Sequence, residues 1–321
     1  MAKIINFSGI SFEVGQSKLG LVQSSKNARK YFSILKEIGI DLFDHGDAIT
    51  QVHQSPIKVY QETDLEKIEW DKYQQAYLKT IELLEEKTPL LNWGGDHSIA
   101  LSTVGAFAYH YADGYVIWID AHADLNLPSK SLTGNFHGMP LAILLNLEGI
   151  ANEHFKWLRK TLNPKKLIYI GLRDIDPYEL SIIDSLNIKT FFYKDILKNG
   201  IENIAKEISD ITQGHPIHIS FDIDSIDPIF APSTGVPVDY GLTPDDLNIL
   251  SEKLFKNSII PSMDIVEINP SLGTNTQVEQ TYLIAFNFLK SIFKNNYQGE
   301  FYDGMGKRDQ GKHSSQMEWS L

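Results

Sequence analysis

Tyr115-Val-Ile-Trp-Ile119 running into Asp120-Ala-His-Ala-Asp124 is the stretch from which the fold of this chain is read. Its first five residues are all β-branched or aromatic, which marks a strand buried on both faces, and the polar block after them marks where that strand leaves the sheet. The same pattern recurs at Leu90-Leu-Asn-Trp93, Leu167-Ile-Tyr-Ile-Gly171, Ile217-His-Ile-Ser-Phe221 and Met263-Asp-Ile-Val-Glu267. Between these runs lie amphipathic stretches of helical length, roughly 25–38, 65–87, 99–112, 201–212, 244–255 and 277–293. Strands alternating with helices make parallel βαβ units, so the expected class is α/β, with a central, mostly parallel sheet covered on both faces. Ligands of such sheets bind beyond the carboxyl ends of the strands, and the unusual residues of this chain fall there.

The 321 residues allow one large domain or two. No internal repeat, Pro- or Gly-rich linker or break in composition interrupts residues 1–295, so a single catalytic domain is expected there, followed by a polar, Gly-rich tail over 296–321. The 42% apolar and 22% charged residues are those of an ordinary globular chain, which excludes wholesale disorder. Twenty-nine Lys+Arg against 41 Asp+Glu leave a net charge of −12, which repels polyphosphate and anionic lipid, so neither nucleic acid nor a membrane is expected as partner. There is no cysteine, hence no disulfide, thiolate nucleophile or thiolate metal site. No apolar run approaches the ~18 residues of a membrane span, and a cytoplasmic protein is expected.

Three polar segments carry the chemistry. In Asp120-Ala-His122-Ala-Asp124 an i, i+2, i+4 spacing on extended chain points two carboxylates and an imidazole the same way. Asp222-Ile-Asp224 repeats the i, i+2 spacing after the strand ending at Phe221, with Asp227 beyond it. Gly94-Gly-Asp-His97-Ser98 follows the strand ending at Trp93 and opens a helix, where Ser98 is placed to act as N-cap. Alone, each segment is explained by caps and turns. Together they crowd four aspartates and two histidines at adjacent strand ends, an arrangement that repels itself unless a cation neutralises it. Two divalent ions sharing bridging carboxylates suit that set, and oxygen-rich ligation with some imidazole favours Mn2+, with Fe2+, Co2+ or Ni2+ as alternatives.

The remaining histidines, at 53, 110, 154, 215, 218 and 313, belong to no such cluster and read as packing, surface or tail residues; His45, between Asp44 and Asp47, reads as part of a polar turn. GxxxxGK[ST], GxGxxG and GxSxG are all absent, which removes the usual phosphate cradles and the serine nucleophile elbow.

Taken in order and spacing, Gly94–Ser98, Asp120–Asp124 and Ser220-Phe-Asp-Ile-Asp-Ser-Ile-Asp-Pro228 resemble the three motif segments of the ureohydrolase superfamily, the arginase and agmatinase group. Gly15-Gln16, the Ala28-Arg29 region and Asp44-His-Gly-Asp47 echo its N-terminal segment, and Met263-Asp-Ile-Val-Glu-Ile-Asn-Pro-Ser-Leu-Gly273 its last core strand. The resemblance implies a three-layer αβα fold, a homo-oligomer (trimer or hexamer) and two Mn2+ per chain. It places His97, Asp120, Asp124 and Asp222 on one ion and His122, Asp120, Asp222 and Asp224 on the other, with Asp120 and Asp222 bridging.

Asp124-Leu-Asn126-Leu-Pro-Ser-Lys-Ser131-Leu-Thr133-Gly-Asn135-Phe-His137-Gly138 is similar to the arginase version of its segment. The likeness implies that Asn126 and Thr133, with Asn135, hold the α-carboxylate of an amino acid, and that Asp176 in Gly171-Leu-Arg-Asp174-Ile-Asp176-Pro177 receives the α-ammonium. The implied reaction is hydrolysis of a small cationic guanidino substrate, L-arginine to L-ornithine and urea, by a metal-bridging hydroxide. Glu267 would pair with the guanidinium, while Asp124 and His137 would handle protons. Agmatinase, guanidinobutyrase and formimidoylglutamase are the alternatives, together with a metal-binding family member without turnover. One position departs from the family pattern: Val236, in Ala231-Pro-Ser-Thr-Gly-Val236-Pro237, stands where a threonine is usual.

Overall fold

The structure, a computed structural model, describes residues 3–49, 56–150 and 153–296. Eight strands form one sheet: β1 (Lys3–Ile10), β2 (Ile40–Asp47), β3 (Leu90–Gly94), β4 (Tyr115–Ile119), β5 (Leu167–Leu172), β6 (Lys189–Phe192), β7 (Pro216–Asp222) and β8 (Ile259–Val266). Their spatial order is β2-β1-β3-β8-β7-β4-β5-β6, and every neighbouring pair is parallel. From the centre the chain builds outward through β1 and β2 on one side and through β4, β5 and β6 on the other. The step from β3 to β4 passes over the places that β7 and β8 fill later.

Ten α-helices cover the sheet among the described residues: α1 (Ser24–Ala28), α2 (Ser33–Lys36), α3 (Trp70–Glu85), α4 (Ala100–His110), α5 (Pro140–Leu144), α6 (Pro177–Leu186), α7 (Tyr193–Asn199), α8 (Ile201–Thr212), α9 (Pro244–Lys253) and α10 (Asn275–Asn296). Alternation along the strands decides which helix meets which face. On β4 and β5, Ile117, Ile119, Ile168 and Ile170 pack with apolar residues of α8, α9 and α10, whereas Val116, Trp118, Leu167 and Tyr169 pack with α3, α4 and α5. The result is the three-layer αβα arrangement. None of the described helices is long and apolar enough to cross a membrane.

Two expected helices differ in detail. The stretch 25–38 is broken into α1, a 3-10 turn and α2, and the stretch 65–87 begins with a separate 3-10 turn, Glu62–Lys67, before α3. At the carboxyl end, α10 runs through Asn296, the first residue assigned to the tail. Asn296 is buried, its Nδ2 donating to the carbonyls of Phe255 (2.5 Å) and Ser258 (2.6 Å), so the core extends at least that far. The rest of the expected tail, with His313, and the stretch holding His53 lie outside the described residues.

Register brings the strand ends into line. Trp93 of β3, Ile265 of β8, Phe221 of β7, Ile119 of β4 and Ile170 of β5 pair in sequence across the sheet, a continuous buried apolar row. One residue further along, β7 presents Asp222 and the chain leaving β4 presents Asp120, side by side. The crevice at this end, over the central strands where the order of the sheet reverses, is where such sheets hold ligands.

Candidate metal centre and substrate cleft

The segment after β3 turns sharply under the chain leaving β1. The amide of Gly95 donates to the carbonyl of Ile10 (2.9 Å) and that of Asp96 to the carbonyl of Phe12 (2.8 Å). A Cβ on Gly95 would stand 1.6 Å from the Phe12 carbonyl oxygen, so only glycine passes here. The cap of the following turn is Asp96 and not Ser98: Asp96 Oδ1 accepts the amide of Ser98 (3.0 Å), and its Oδ2 accepts the amide of Gly15 (2.7 Å). Ser98 gives its own hydroxyl hydrogen to Asp96 and accepts from Tyr73 at 2.7 Å. With a separate oxygen for each, the Asp96 carboxylate takes donors from two segments at once.

This turn delivers His97, fully buried, beneath the ends of β4 and β7. His97 Nε2 lies 2.8 Å from Ser220 Oγ of β7. Its Nδ1 lies 3.0 Å from Asp120 Oδ2, 3.1 Å from Asp124 Oδ2 and 3.1 Å from Asp222 Oδ2, and takes no ordinary hydrogen bond. Three carboxylate oxygens converging on one buried nitrogen lone pair repel one another and it, unless a proton or a metal ion sits among them. With only the proton available, burial opposes charging His97, yet Asp120, Asp124 and Asp222 together push its pKa well above the ordinary value.

A second group adjoins the first through Asp120. His122 Nδ1 lies 3.1 Å from Asp224 Oδ2 and 3.5 Å from Asp120 Oδ1, so Asp120 turns one oxygen to each group. The resemblance made Asp222 a bridge as well. In the structure its Oδ2 faces His97 while its Oδ1 accepts the amide of Asp224, a member of the second group with Asp120 and His122, at 2.8 Å. Burial, then the charges of Asp224 and Asp120, push the Asp222 carboxyl well above the usual range. Two ion-sized groups of oxygen and imidazole donors, overcharged when empty, fit a pair of divalent cations.

The convergence of Asp120, His122 and Asp124 does not come from a strand period. β4 ends at Ile119, and Asp124 adopts a left-handed backbone with φ of 52°, which turns its side chain back beside Asp120 toward His97. Glu267, after β8, is likewise left-handed at φ of 66°. Two acidic residues held in this sparsely populated region mark backbone over-determined by its surroundings.

Glu267 stands behind the two groups, 2% exposed. Its Oε1 accepts the amide of His97 (2.8 Å) and lies 2.9 Å from His137 Nδ1, and its Oε2 accepts from Gln16 Nε2. Burial lowers the His137 pKa, but the charge of Glu267 and the hydrogen bond to it outweigh this and bring it to about 9.

Above the two groups opens a cleft of about 150 Å³ with His122, Asp124, Asp222 and Asp224 at its floor. Asn126, Thr133, Asn135 and Asp176 stand along its wall, with His137 and Val236 also lining it. Asn126 Nδ2 donates to Asp176 Oδ2 (2.9 Å), and its buried Oδ1 has no partner. Glu179, which the sequence reading passed over, accepts the amides of Leu125 (2.9 Å) and Asp176 (3.0 Å) and so ties the Asn126 segment to the start of α6. Thr133 is exposed at the mouth. The Arg173 guanidinium is spent on backbone carbonyls, those of Asp224 (2.7 Å), Val238 (2.8 Å), Asp239 (3.1 Å) and Ser225 (3.2 Å). Among the other histidines, His218 is fully buried, with Nδ1 2.8 Å from Ser262 Oγ and Nε2 3.2 Å from Asp264 Oδ2, as expected of a packing residue.

The chain is similar to known proteins over most of its length. A model described as the arginase family matches residues 4–294. Arginase-1 of Rattus norvegicus is 34% identical over 308 residues, covering 92% of this chain and 94% of that protein. The crystal structure of arginase from Bacillus cereus superposes with a TM-score of 0.79 at 30% identity, covering 91% of this chain and 98% of that one. A hypothetical agmatinase from Burkholderia thailandensis shares the fold, with a TM-score of 0.69 at 19% identity over 93% of this chain and 88% of that one.

Proposed function

The chain belongs to the arginase family, and from that premise we propose that it hydrolyses L-arginine to L-ornithine and urea. The observation that carries the reading is a pair of metal-ligand groups sharing Asp120, at the floor of a cleft whose wall holds partners for both charges of an amino-acid head group. His97, Asp120, Asp124 and Asp222 would hold one ion and His122, Asp120, Asp222 and Asp224 the other, and two Mn2+ suit these donors. Such ions, when bound, polarise the substrate and supply hydroxide near neutral pH.

The protein groups do the rest. The α-ammonium donates to Asp176 and to the unpartnered oxygen of Asn126, while the α-carboxylate accepts from the remaining N–H of Asn126, the Thr133 hydroxyl and the Asn135 amide. The guanidinium, a planar donor fork, matches the Glu267 carboxylate. Reaching it means taking Oε1 over from His137, which frees that imidazole to carry a proton between the cleft and bulk water; Asp124 passes a proton to the leaving amine. Formimidoylglutamate is disfavoured, because its extra carboxylate would want a cation and Arg173 is fully engaged elsewhere.

The test is a substrate panel of arginine, agmatine, guanidinobutyrate and formimidoylglutamate on Mn2+-loaded protein, repeated with Asn126→Ala. Arginine should exceed agmatine in kcat/KM by at least ~100-fold, because polar groups built for a carboxylate are stranded without one, and Asn126→Ala should shrink that ratio. A wild-type preference for another member of the panel overturns the substrate assignment.

A further inference from the structure

Lys58 reaches the carboxylate side of the cleft from outside it. The strap that carries it is tied down by backbone: Ile57 donates to the carbonyl of Val14 (3.0 Å), Val59 to that of Gly134 (2.8 Å), and Lys58 pairs antiparallel with Asn135. The half-buried ammonium has three hydrogens and three acceptors, Ser17 Oγ (2.9 Å), the Thr133 carbonyl (3.1 Å) and Asn135 Oδ1. Ser17 also donates to Asn135 Oδ1, at 3.3 Å.

The chemistry of these donors settles the pose of Asn135. An ammonium only donates, so the atom facing it must be the carboxamide oxygen, and the NH2 is turned away from Lys58. Asn135 lines the cleft, where no lysine or arginine does, so this NH2 is a donor offered to whatever occupies it. The same ammonium grips the backbone of Thr133, fixing the loop that carries both residues, and sets a positive charge beside the end of a cleft otherwise rich in carboxylates.

We propose that Lys58 is a positioning residue for substrate choice: by locking Asn135 and Thr133 it makes the cleft end a receptor for an α-carboxylate. The inference rests on the amino-acid substrate of the preceding section and extends it to a residue that does not itself touch substrate. Agmatine is the natural control, because it keeps the guanidinium and ammonium and lacks only the carboxylate.

The experiment measures kcat and KM for arginine and agmatine with metal-loaded wild type, Lys58→Met, Lys58→Gln, Asn135→Ala and the Lys58→Met/Asn135→Ala double variant. Calorimetric binding of ornithine and of putrescine, its decarboxylated counterpart, is measured alongside. Lys58→Met should lower kcat/KM for arginine about tenfold, chiefly through KM, and weaken ornithine similarly, the scale of one lost hydrogen bond to a charged group, with far smaller effects on agmatine and putrescine. In the Asn135→Ala background the same change should cost much less, because the group it positions is gone. Lys58→Gln, which keeps a donor on the strap and removes the charge, should fall between and reports if the methionine variant does not fold. Equal losses for arginine and agmatine in either Lys58 variant, or an undiminished effect in the Asn135→Ala background, overturn the proposal. A wild type that does not prefer arginine fails the substrate reading by itself, before Lys58 is altered.

Discussion

Trp118 lies flat against His97, the ring centroids 4.0 Å apart and the planes 8° apart. The same indole donates from Nε1 to Asp120 Oδ2 at 2.9 Å. One side chain therefore sets the tilt of the His97 imidazole and the direction of the carboxylate shared by both groups. Trp118→Phe keeps the stack and removes the donor. Mn2+ affinity should fall ~10- to 100-fold, as it does when the partner of a ligand is lost, with the fold intact by circular dichroism. Metal titration showing undiminished affinity would reduce Trp118 to a core residue.

His137 is raised to about 9 by its place against Glu267, overcoming burial that works the other way. It therefore holds its proton through neutral pH and releases it as pH rises through about 9. Glu267→Gln removes the charge and should bring the titration back toward the ordinary ~6.5, visible as a shifted imidazole resonance and as an alkaline limb of kcat/KM moved to lower pH, with both metals retained. Loss of metal in this variant would make Glu267 part of the ligand set instead.

Glu179 is raised from 4.5 to about 7, first by burial and then by the charges of Asp124 and Asp176, against the pull of two backbone amides. A carboxyl that holds its proton more tightly when folded stabilises the fold fully below about 4.5, and that contribution is lost as pH rises toward 7. The loss is on the order of 3 kcal/mol. Wild-type Tm should therefore carry a downward component between these limits that Glu179→Gln lacks; parallel Tm curves for the two proteins would show that the carboxyl titrates normally.

Val236 lines the cleft where the family pattern has threonine. Val236→Thr adds a hydroxyl without adding a heavy atom. It should change kcat modestly and leave the arginine-to-agmatine ratio unchanged, since the proposed polar partners of the head group are Asn126, Thr133, Asn135 and Asp176. A changed ratio in steady-state kinetics would relocate substrate choice to this position.

The elements legible in the sequence were those buried on both faces. β4, β5 and β7 are nearly continuous apolar runs, and their ends announced the aspartates. β1 escaped because Asn6 and Ser8 alternate with Ile5 and Phe7, polar residues buried on a strand paired on both sides. β2, half-exposed at one edge and charged, and the four-residue β6 at the other edge carry too little apolar pattern to stand out. In the site, the residues that the structure brings together in the two groups were readable because most of their spacing is local. Their supports were not: Gln16 meets Glu267 across 251 positions and Lys58 meets Asn135 across 77, and neither residue carries a local sign of its partner. Trp118 is the exception, since it stands two positions before Asp120 on the same face of one chain.

The place of β8 between β3 and β7 has a consequence for biosynthesis. β8 leaves the ribosome after both wings, so a nascent chain that has delivered every aspartate and histidine of the two groups still has a gap where β8 belongs. At ~5–20 residues per second, that interval lasts several seconds. During it β3 and β7 present open backbone edges to the cell, and the carboxylates at their ends have no Glu267 behind them. The strand that fills this gap also carries Glu267 to the His97 amide, so one late step completes both the sheet and the site.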